Sequence, residues 1–364
     1  MKILVLAEEY STQNKISQAF IHTRNCEYIK NGIDVNVISF ASKETYTLDS
    51  IIVYSLEEFN TIHSVNEYDI VVSHAPNIRN HCKFINRNIN KIKKIVFFFH
   101  GHEVLLSKEV YPKPYEFVKK ESIFKETIRN FYDRVKLIYM TRFLKKVLEK
   151  SIYIFVSEWM YNQFKKNIKI KEANYKEKSY IIYNSMGKEF LDKSYDEKEK
   201  KQYDFITIRN ILDVSKYCID LVIELAKKYP QYNFLVVGKG EIFEHYDIPK
   251  NLNYELRNLK HSEIINYLNR SKCALMPTKA DAQGVMMCEM ATFGIPVVTS
   301  NISVCKDILG DLPNVRFISN DINKVDLIKT INGLGKSKKK CEKFSYNNTI
   351  KKEIDLLKKL AKEE

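Results

Sequence analysis

Residues 279–300 of the 364-residue chain read KADAQGVMMCEMATFGIPVVTS. The buried strand CALMPT comes just before the polar loop KADAQ, and VMMCEMATF has helical apolar spacing up to Gly294. The apolar IPVVTSN then returns to the sheet, so the stretch predicts a strand–loop–helix–strand unit of a parallel sheet. The chain has only ten glycines, and two of them, Gly284 and Gly294, bound this helix. A helix that opens at a glycine leaves its first N–H groups available to an anion.

Two acids flank this predicted anion site. Asp281 lies in the loop, and Glu289 lies about a turn and a half into the helix, so both can accept hydrogen bonds from sugar hydroxyls. A phosphate between hydroxyl-bearing rings is what a nucleotide sugar presents. The alternative is that Asp281 only caps the helix and Glu289 is solvated.

Two cations strengthen the nucleotide-sugar interpretation. Arg209 ends the strand DFITIRN, and Lys216 comes just before the helical segment CIDLVIELAKKYP. Side chains at such a strand-to-helix junction can neutralise a diphosphate, although they would be unremarkable as surface charges. A third predicted strand ends at Gly238 and Gly240, but no third glycine follows, so a dinucleotide cofactor is not expected.

The same alternation of strands and helices extends through both halves of the chain. The strand-like runs are KILVLA, DVNVISF, IIVYS, DIVVSH, KIVFFFHG, SIYIFVS, YDFITIRN, YNFLVVGKGE, LNYELRN, CALMPT and IPVVTSN. Such alternation predicts an α/β protein with two doubly wound parallel sheets. We expect domains at 1–182 and 183–343, with an amphipathic terminal helix at 344–364 that packs back on the first domain.

Composition narrows the cellular setting. The net charge is +14, which is compatible with nucleic acid, an anionic membrane or phosphorylated substrates, or simply with a Lys- and Asn-rich composition. No apolar run is long enough to span a membrane, and the first residues do not resemble a secretory signal, so a cytoplasmic protein is expected. The seven cysteines form no C-x-x-C pair and predict reduced core thiols, not a metal site.

One segment is basic as well as amphipathic. Residues 119–150 carry ten Lys and Arg against four acids, with apolar residues at helical spacing. Such a helix can lie on an anionic membrane. The alternative is a surface helix whose apolar stripe packs on the sheet.

Together these motifs resemble the retaining glycosyltransferases of family 4, which have the GT-B fold and act in bacterial cell-surface polysaccharide synthesis. The acid-x7-acid motif with Gly-x-Pro matches 281–296, the Arg/Lys pair matches 209–216, a His-Gly element matches FFFHGHE (97–103), and an interdomain element matches IIYNSMG (181–187). Tyr217 stands where the family has glycine, and Asp281 where its first acid is more often Glu. The resemblance covers most of the chain and is strongest from about 203 to 310.

The resemblance implies two Rossmann-like domains facing a cleft and a role for each matching residue. Catalytic roles fall to Arg209 and Lys216 at the donor diphosphate, Glu289 at the ribose, and His100 near the sugar ring at the interdomain cleft. The implied donor-binding set is Asp281, Ala282, Gln283, Gly284, Val285, Arg257, Asn258, Leu259 and Gly238. The set expected on the acceptor or membrane side is His102, Lys119, Lys120, Arg129, Lys136 and Arg142.

The implied reaction is transfer of a hexose from a UDP- or GDP-sugar to a lipid-linked or membrane-proximal glycan, with retention of anomeric configuration. The nucleotide sugar is the co-substrate, no metal or other cofactor is expected, and neither is nucleic acid. The enzyme would lie at the inner face of an anionic membrane. The alternatives are another GT-B enzyme, such as a nucleotide-sugar epimerase, and a non-catalytic basic binding protein.

Overall fold

The computed structural model describes residues 1–13, 18–119, 123–334 and 340–362. The chain divides into two compact units. The first unit comprises Met1–Ser107, Ile128–Ser185 and Tyr346–Glu364, and the second comprises Lys108–Thr127 and Met186–Ser345. The sequence pattern gave no sign that residues 108–127 would join the second unit.

The first unit is built on an eight-stranded sheet. Its strands are β1 (Lys2–Ala7), β2 (Asp34–Ser39), β3 (Tyr46–Leu48), β4 (Ile51–Tyr54), β5 (Ile70–His74), β6 (Lys94–Phe99), β7 (Ser151–Phe155) and β8 (Ser179–Ile181). They lie in the order β3-β4-β2-β1-β5-β6-β7-β8, and only the β3–β4 pair is antiparallel. The strand order reverses between β1 and β5, as in doubly wound folds.

The second unit contains a six-stranded sheet that is parallel throughout. Its strands are β9 (Tyr203–Ile211), β10 (Phe234–Lys239), β11 (Leu252–Glu255), β12 (Ser271–Met276), β13 (Val297–Ser300) and β14 (Val315–Ile318). The order is β11-β10-β9-β12-β13-β14, so the reversal falls between β9 and β12. Ligands of such sheets bind outside the carboxyl ends of the two strands at the reversal.

The α-helices connect the strands, and no helix in the described part of the chain is long and apolar enough to cross a bilayer. They are α1 (Ala19–Lys30), α2 (Leu56–Ile62), α3 (His81–Asn88), α4 (Ser107–Val110), α5 (Ile123–Val147), α6 (Glu158–Asn167), α7 (Lys188–Asp192), α8 (Ile219–Lys228), α9 (His261–Asn269), α10 (Val285–Phe293), α11 (Ser303–Leu309), α12 (Leu327–Asn332) and α13 (Ile350–Leu360).

The terminal helix α13 belongs to the first unit and is fixed there by a buried polar network. The Arg24 guanidinium on α1 donates to both carboxylate oxygens of Glu353 on α13, at 3.0 and 3.1 Å. Tyr28 donates to the same carboxylate at 2.8 Å, and Arg24 also donates to the Asn184 side chain at 2.9 Å. The charges are buried but paired, which is the condition under which buried ions are tolerated.

The predicted α/β class with two doubly wound parallel sheets is confirmed, and every predicted strand is present. Three strands were not predicted, namely β3, β8 and β14. Each lies at a sheet edge and has at most two buried residues, so its sequence lacks a run of core residues. The helix predicted from VMMCEMATF is α10, bounded by Gly284 at φ +70° and Gly294 at φ +101°. A side chain would strain both backbone positions.

Candidate active site

The reversal of strand order in the second unit forms a cavity of about 350 Å³. Arg209 comes from β9 and Asp281 from the loop that follows β12, so the fold brings two distant sequence motifs to one sheet edge. The cavity is lined by Ile208, Arg209, Asn210, Lys216, Tyr217, Arg257, Asn258, Leu259, His261, Ile264, Asp281, Gly284, Val285 and Met286.

The Arg209 side chain is buried, and its charge is only partly compensated by its neighbours. Its Nη2 donates to the Pro277 carbonyl at 2.8 Å, while its Nε has no acceptor among the described residues. Burial lowers the pKa of Arg209, and the negative charge of Asp281 opposes that shift. The pKa of an arginine lies so far above neutral pH that Arg209 stays charged. Its unpaired Nε–H group therefore favours an anionic ligand.

Tyr217 lies between the two predicted diphosphate cations. The Arg209 guanidinium carbon is 4.6 Å from the centre of its ring, and the Lys216 ammonium is 4.9 Å away. Lys216 is also 5.7 Å from the ring of Tyr111, and it forms no ion pair within the described ranges. The aromatic faces hold both cations by cation–π attraction without neutralising them.

The amino end of α10 contributes backbone donors. Asp281 Oδ1 accepts the N–H groups of Ala282 and Gly284 at 2.8 Å and that of Gln283 at 3.3 Å. All three amides precede α10, whose N-cap is Gly284 without a side-chain cap hydrogen bond, so Asp281 orders the turn before the helix and does not form the helix cap of the alternative interpretation.

Two later N–H groups remain available at this helix end. In the described part of the chain, the amides of Val285 and Met286 have no acceptor, and both residues line the cavity. Together with the helix dipole they form a local site for negative charge.

Glu289 is buried and does not line the cavity, so it is not the solvated acid of the alternative interpretation. Its Oε1 accepts the Gly187 N–H at 3.1 Å, and desolvation raises its pKa to about 7. His261 Nε2 lies 3.9 Å from Oε1, and burial lowers the pKa of His261. Both shifts favour the neutral forms, so this contact is a weak ion pair at most near pH 7.

The predicted base-binding residues line the far side of the cavity. Asn258 and Leu259 contribute to the lining, as does Arg257. The Arg257 guanidinium is committed to Glu255 at 3.0 Å and to Glu263 at 2.7 Å. These exposed pairs orient Arg257 but leave its charge largely compensated.

Three predicted donor-binding residues do not line the cavity. Ala282 and Gln283 belong to the Asp281 turn. A Cβ atom at Gly238 would lie 2.1 Å from the Arg209 carbonyl oxygen, so glycine is needed there for strand packing. This close approach explains Gly238 without a ligand.

In the first unit, His100 follows β6 and is paired with a second histidine. His100 Nε2 lies 3.2 Å from His74 Nδ1, and burial places the pKa of both rings well below the usual value. Two neutral rings at this distance share one N–H in a hydrogen bond. Glu103 accepts the backbone N–H of His100 at 3.0 Å and so fixes the loop. His102 is exposed.

The basic residues expected on the acceptor or membrane side differ in exposure. Lys119, Arg129 and Arg142 are exposed, and Lys120 lies outside the described residues. Lys136 is buried: its ammonium pairs with Asp133 at 2.8 Å and donates to the carbonyls of His102 and Leu105 at 2.8 and 2.9 Å. Lys136 therefore holds α5 to the loop after β6, and we remove it from the surface set.

Sequence reasoning missed several residues of the site. His261 lies 28 positions from Glu289 and belongs to no local pattern with it. Gly187 was identified only as part of the element IIYNSMG, without its hydrogen bond to Glu289. Asn210 and Tyr217 adjoin the predicted cations, and Tyr217 was visible only as a departure from the family motif.

Comparison with known proteins identifies the region that carries this cavity. Residues 190–351 match the family described as glycosyl transferases group 1. This range includes Arg209, Lys216, Asp281 and Glu289. This part of the chain is therefore similar to group 1 glycosyltransferases.

A curated relative and two solved structures extend the comparison. An uncharacterized 41.2 kDa protein in the cps region of Klebsiella pneumoniae is 23% identical over 231 residues, which cover 57% of this chain and 64% of that protein. A glycosyltransferase from Rickettsia africae has a TM-score of 0.65 at 16% identity, covering 100% of this chain and 99% of its own. The Anabaena HepE protein in complex with UDP and glucose has a TM-score of 0.57 at 14% identity, covering 99% and 97%. At such identities the two structures establish the fold alone, and the predicted GT-B fold is confirmed.

Proposed function

We propose that the protein is a retaining glycosyltransferase of family 4 that moves a hexose from a UDP- or GDP-sugar to a lipid-linked or membrane-proximal glycan. The observation that carries this proposal is the charge pattern of the cavity at the β9/β12 reversal. Arg209 and Lys216 lie near one ring without neutralising carboxylates in the described part of the chain, and the amides of Val285 and Met286 are unpaired. This pattern complements a diphosphate.

The two acids, Glu289 and Asp281, are assigned to the sugar rings of the nucleotide sugar. Glu289 is buried and its pKa is raised, so donation from two ribose hydroxyls would restore the ionised form. Asp281 Oδ2 forms no hydrogen bond among the described residues, while Oδ1 accepts the N–H groups of the turn before α10. We assign Oδ2 to a hydroxyl of the hexose.

The reaction follows from these assignments. Arg209 and Lys216 stabilise the negative charge that develops on the leaving diphosphate, which is the largest electrostatic change in the reaction. The acceptor attacks from the face that the diphosphate leaves, and a diphosphate oxygen takes the acceptor proton. This route needs no carboxylate nucleophile, and because two side-chain cations are available, we propose that transfer is metal-independent.

We further propose that residues 183–343 are the donor domain and residues 1–182 the acceptor-side domain, with His100 near the sugar ring and 344–364 completing the first domain. The curated relative from a cps region supports surface polysaccharide as the product class. The solved HepE complex contains UDP and glucose, which supports a UDP-sugar as the first donor to test.

The membrane-proximal acceptor is supported by the surface of α5. Ile128, Phe131, Val135 and Ile138 form a stripe on this helix, with exposed fractions of 51%, 68%, 41% and 55%. Exposed basic residues such as Arg142 lie on the same helix. Exposed apolar side chains at helical spacing, together with cations, favour the interface of an anionic bilayer. We therefore propose a peripheral enzyme on the cytoplasmic face of the membrane.

The donor assignment is tested with a panel of UDP- and GDP-sugars. We expect one of them to raise the melting temperature and, with an acceptor extract, to release nucleotide. Lys216→Met should abolish both effects, whereas Lys239→Met, an exposed lysine at the end of β10, should not. Anomeric retention is read from the product by NMR. Full activity of both Lys216→Met and Glu289→Gln would refute the site.

The same assays separate the alternatives. A nucleotide-sugar epimerase would release nucleotide without an acceptor. A basic binding protein would bind RNA in a salt-dependent manner and would neither bind nor hydrolyse any nucleotide sugar.

Membrane association is tested by sedimentation with vesicles of phosphatidylglycerol and phosphatidylcholine. We expect binding to anionic vesicles, weakened by Phe131→Ser and Arg142→Gln. Ile62→Ser is the matched control, because Ile62 is 65% exposed in the same unit but lies on α2. Equal loss in all three variants, or no binding by the natural protein, would remove the membrane from the proposal.

A further inference from the structure

Three metal-ligating side chains converge in the first unit, and none of them lines the donor cavity. His22 and Cys26 are one turn apart on α1, and Asp49 comes from the turn between β3 and β4. His22 Nε2 lies 2.9 Å from Asp49 Oδ2 and 3.5 Å from Cys26 Sγ. The three ligand atoms all lie within 4.8 Å of one another.

The hairpin turn directs Asp49 toward the helix. Only Asp49 and Ser50 separate β3 from β4, and both have left-handed backbone conformations, with φ of +46° and +66°. Two-residue hairpins require such angles, which glycine or asparagine usually supplies. This chain places an aspartate there instead, and its carboxylate reaches His22.

A second layer orients the imidazole. The Tyr10 hydroxyl is buried, lies 2.9 Å from His22 Nδ1, and accepts from the Asn25 side chain at 3.1 Å. In the metal-free contact Nε2–H donates to Asp49 Oδ2; with the proton on Nδ1 instead, Nδ1–H can donate to the Tyr10 hydroxyl, which frees the Nε2 lone pair for a metal ion. Histidine ligands of metals are commonly fixed by such a partner on the other ring nitrogen.

We propose that His22, Cys26 and Asp49 bind a zinc-type divalent cation that joins α1 to the β3–β4 hairpin. One imidazole, one thiolate and one carboxylate are zinc ligands, and their charges sum to −2 against the +2 of the ion. Lys30 acts on Cys26 electrostatically, but its ammonium is paired with Glu27 at 2.6 Å.

The distances fit a tetrahedral ion after a small movement. Zn–N of about 2.0 Å and Zn–S of about 2.3 Å imply ligand separations of roughly 3.3–3.6 Å. The His22–Cys26 separation of 3.5 Å is within this range, and the His22–Asp49 separation of 2.9 Å must widen by about half an ångström. The Asp49 side chain is 69% exposed and can make that shift. Water or an external ligand completes the fourth position.

Binding has a simple proton balance. The Cys26 thiol loses its proton to solvent as the sulfur–metal bond forms, and Asp49 binds through its carboxylate oxygen. The imidazole proton that Nε2 donates to Asp49 in the metal-free contact moves to Nδ1 by exchange with solvent, so His22 keeps one proton. No oxidant or reductant is needed, and the site is separate from the transfer reaction proposed above.

Cobalt(II) reports the ligand set directly. Protein stripped of metal with a chelator is titrated with Co²⁺, and we expect one equivalent to produce a thiolate-to-cobalt charge-transfer band and the intense visible bands of a tetrahedral site. Zn²⁺ should displace the cobalt and raise the melting temperature by several degrees.

Variants distinguish a metal-binding site from three side chains that only form hydrogen bonds with one another. Cys26→Ser should lose the charge-transfer band, while Cys341→Ser, a half-buried cysteine of the other unit, should keep it. Asp49→Asn, at an exposed position, should weaken Zn²⁺ binding at least tenfold without unfolding the chain. A natural protein with no charge-transfer band, or a band that survives Cys26→Ser, would show that the triad is only a hydrogen-bonded contact.

Discussion

Replacing Glu289 with glutamine should make the second unit more stable at pH 8 and remove its activity. Burial raises the pKa of Glu289 from 4.5 to about 7. The folded state therefore holds a proton that the unfolded chain has already released, and stability falls as the pH rises from 4.5 through 7. At about 1.4 kcal/mol per pH unit, ionised Glu289 costs about 3 kcal/mol at pH 8. Glutamine avoids this cost and still accepts the Gly187 N–H.

The stability gained by the Glu289→Gln variant must depend on pH. Below pH 4.5 Glu289 is protonated in both states, so Glu289→Gln should change the free energy of unfolding little there. Urea unfolding followed by far-ultraviolet circular dichroism at pH 4.5 and pH 8 measures this difference, and hydrogen exchange of residues 285–293 locates it in α10. Glu224→Gln, at an exposed position on α8, is the control and should gain nothing.

The reasoning is refuted if Glu289→Gln gains the same stability at both pH values, or none at pH 8. Activity gives the second arm of the test. A buried residue that lowers stability by this much is expected to have a function. We therefore expect the affinity for the nucleotide sugar to be lower in the Glu289→Gln variant. In the natural protein, affinity should rise about tenfold between pH 6 and pH 8, because the ionised fraction rises about tenfold across a pKa of about 7. A flat profile would place Glu289 outside the binding equilibrium.

Three further predictions follow from single contacts. Gly187→Ala would put a Cβ atom 2.6 Å from His261 Nδ1 and 3.1 Å from Glu289 Oε1, so we expect weaker donor binding and about 1–3 kcal/mol lower stability, measured by calorimetry. Tyr217→Phe should keep donor turnover and Tyr217→Ala should lose it, since the ring face and not the hydroxyl contacts both cations; equal kinetics of the two variants would contradict this. Lys136→Met should cost about 3–5 kcal/mol in urea unfolding because it leaves Asp133 buried and unpaired, yet leave vesicle binding unchanged.

Much of the fold could be predicted because the central strands are buried on both faces. Runs such as KIVFFF and FLVV are continuously apolar, which marks a strand between two helical layers. Strands β3 and β14 are short and lie at sheet edges, where half-exposed residues give no such run. Residues 108–127 join the second unit through long-range contacts, among them a hydrogen bond from Tyr115 to Asp220 at 3.0 Å. No local pattern encodes such a contact.

The positions of the main donor-cavity residues could also be predicted, because they too depend on strands that the sequence reveals. Arg209 and Asp281 are 72 positions apart, but each follows a strand that the sequence reveals, and strands at a reversal of order bring their following loops together. The position of Arg209 and Asp281 at one edge of the sheet therefore follows from the order of the strands. The environment of Glu289 does not follow from strand order, because the Gly187 N–H comes from the segment before α7 and the His261 ring from the first residue of α9. The raised pKa of Glu289 is a property of that packing.

One face of the helix α5 packs on its own unit, as the surface-helix interpretation predicted, while the membrane interpretation stays a prediction. Met140, Leu144 and Val147 are buried, so one face packs on the unit as an ordinary surface helix does. Phe131 and Ile138 are exposed, so a second apolar stripe remains on the outer side. Apolar residues on two faces reduce the net amphipathicity of the helix, and counting charges and apolar residues cannot separate the faces. The two faces differ in the exposure of their cations. Lys136 is buried and donates to the His102 carbonyl, whereas Arg142 is exposed and can face phosphate headgroups. Burial of the individual lysine or arginine, more than the net charge of the segment, therefore decides which residues can hold this helix on a membrane.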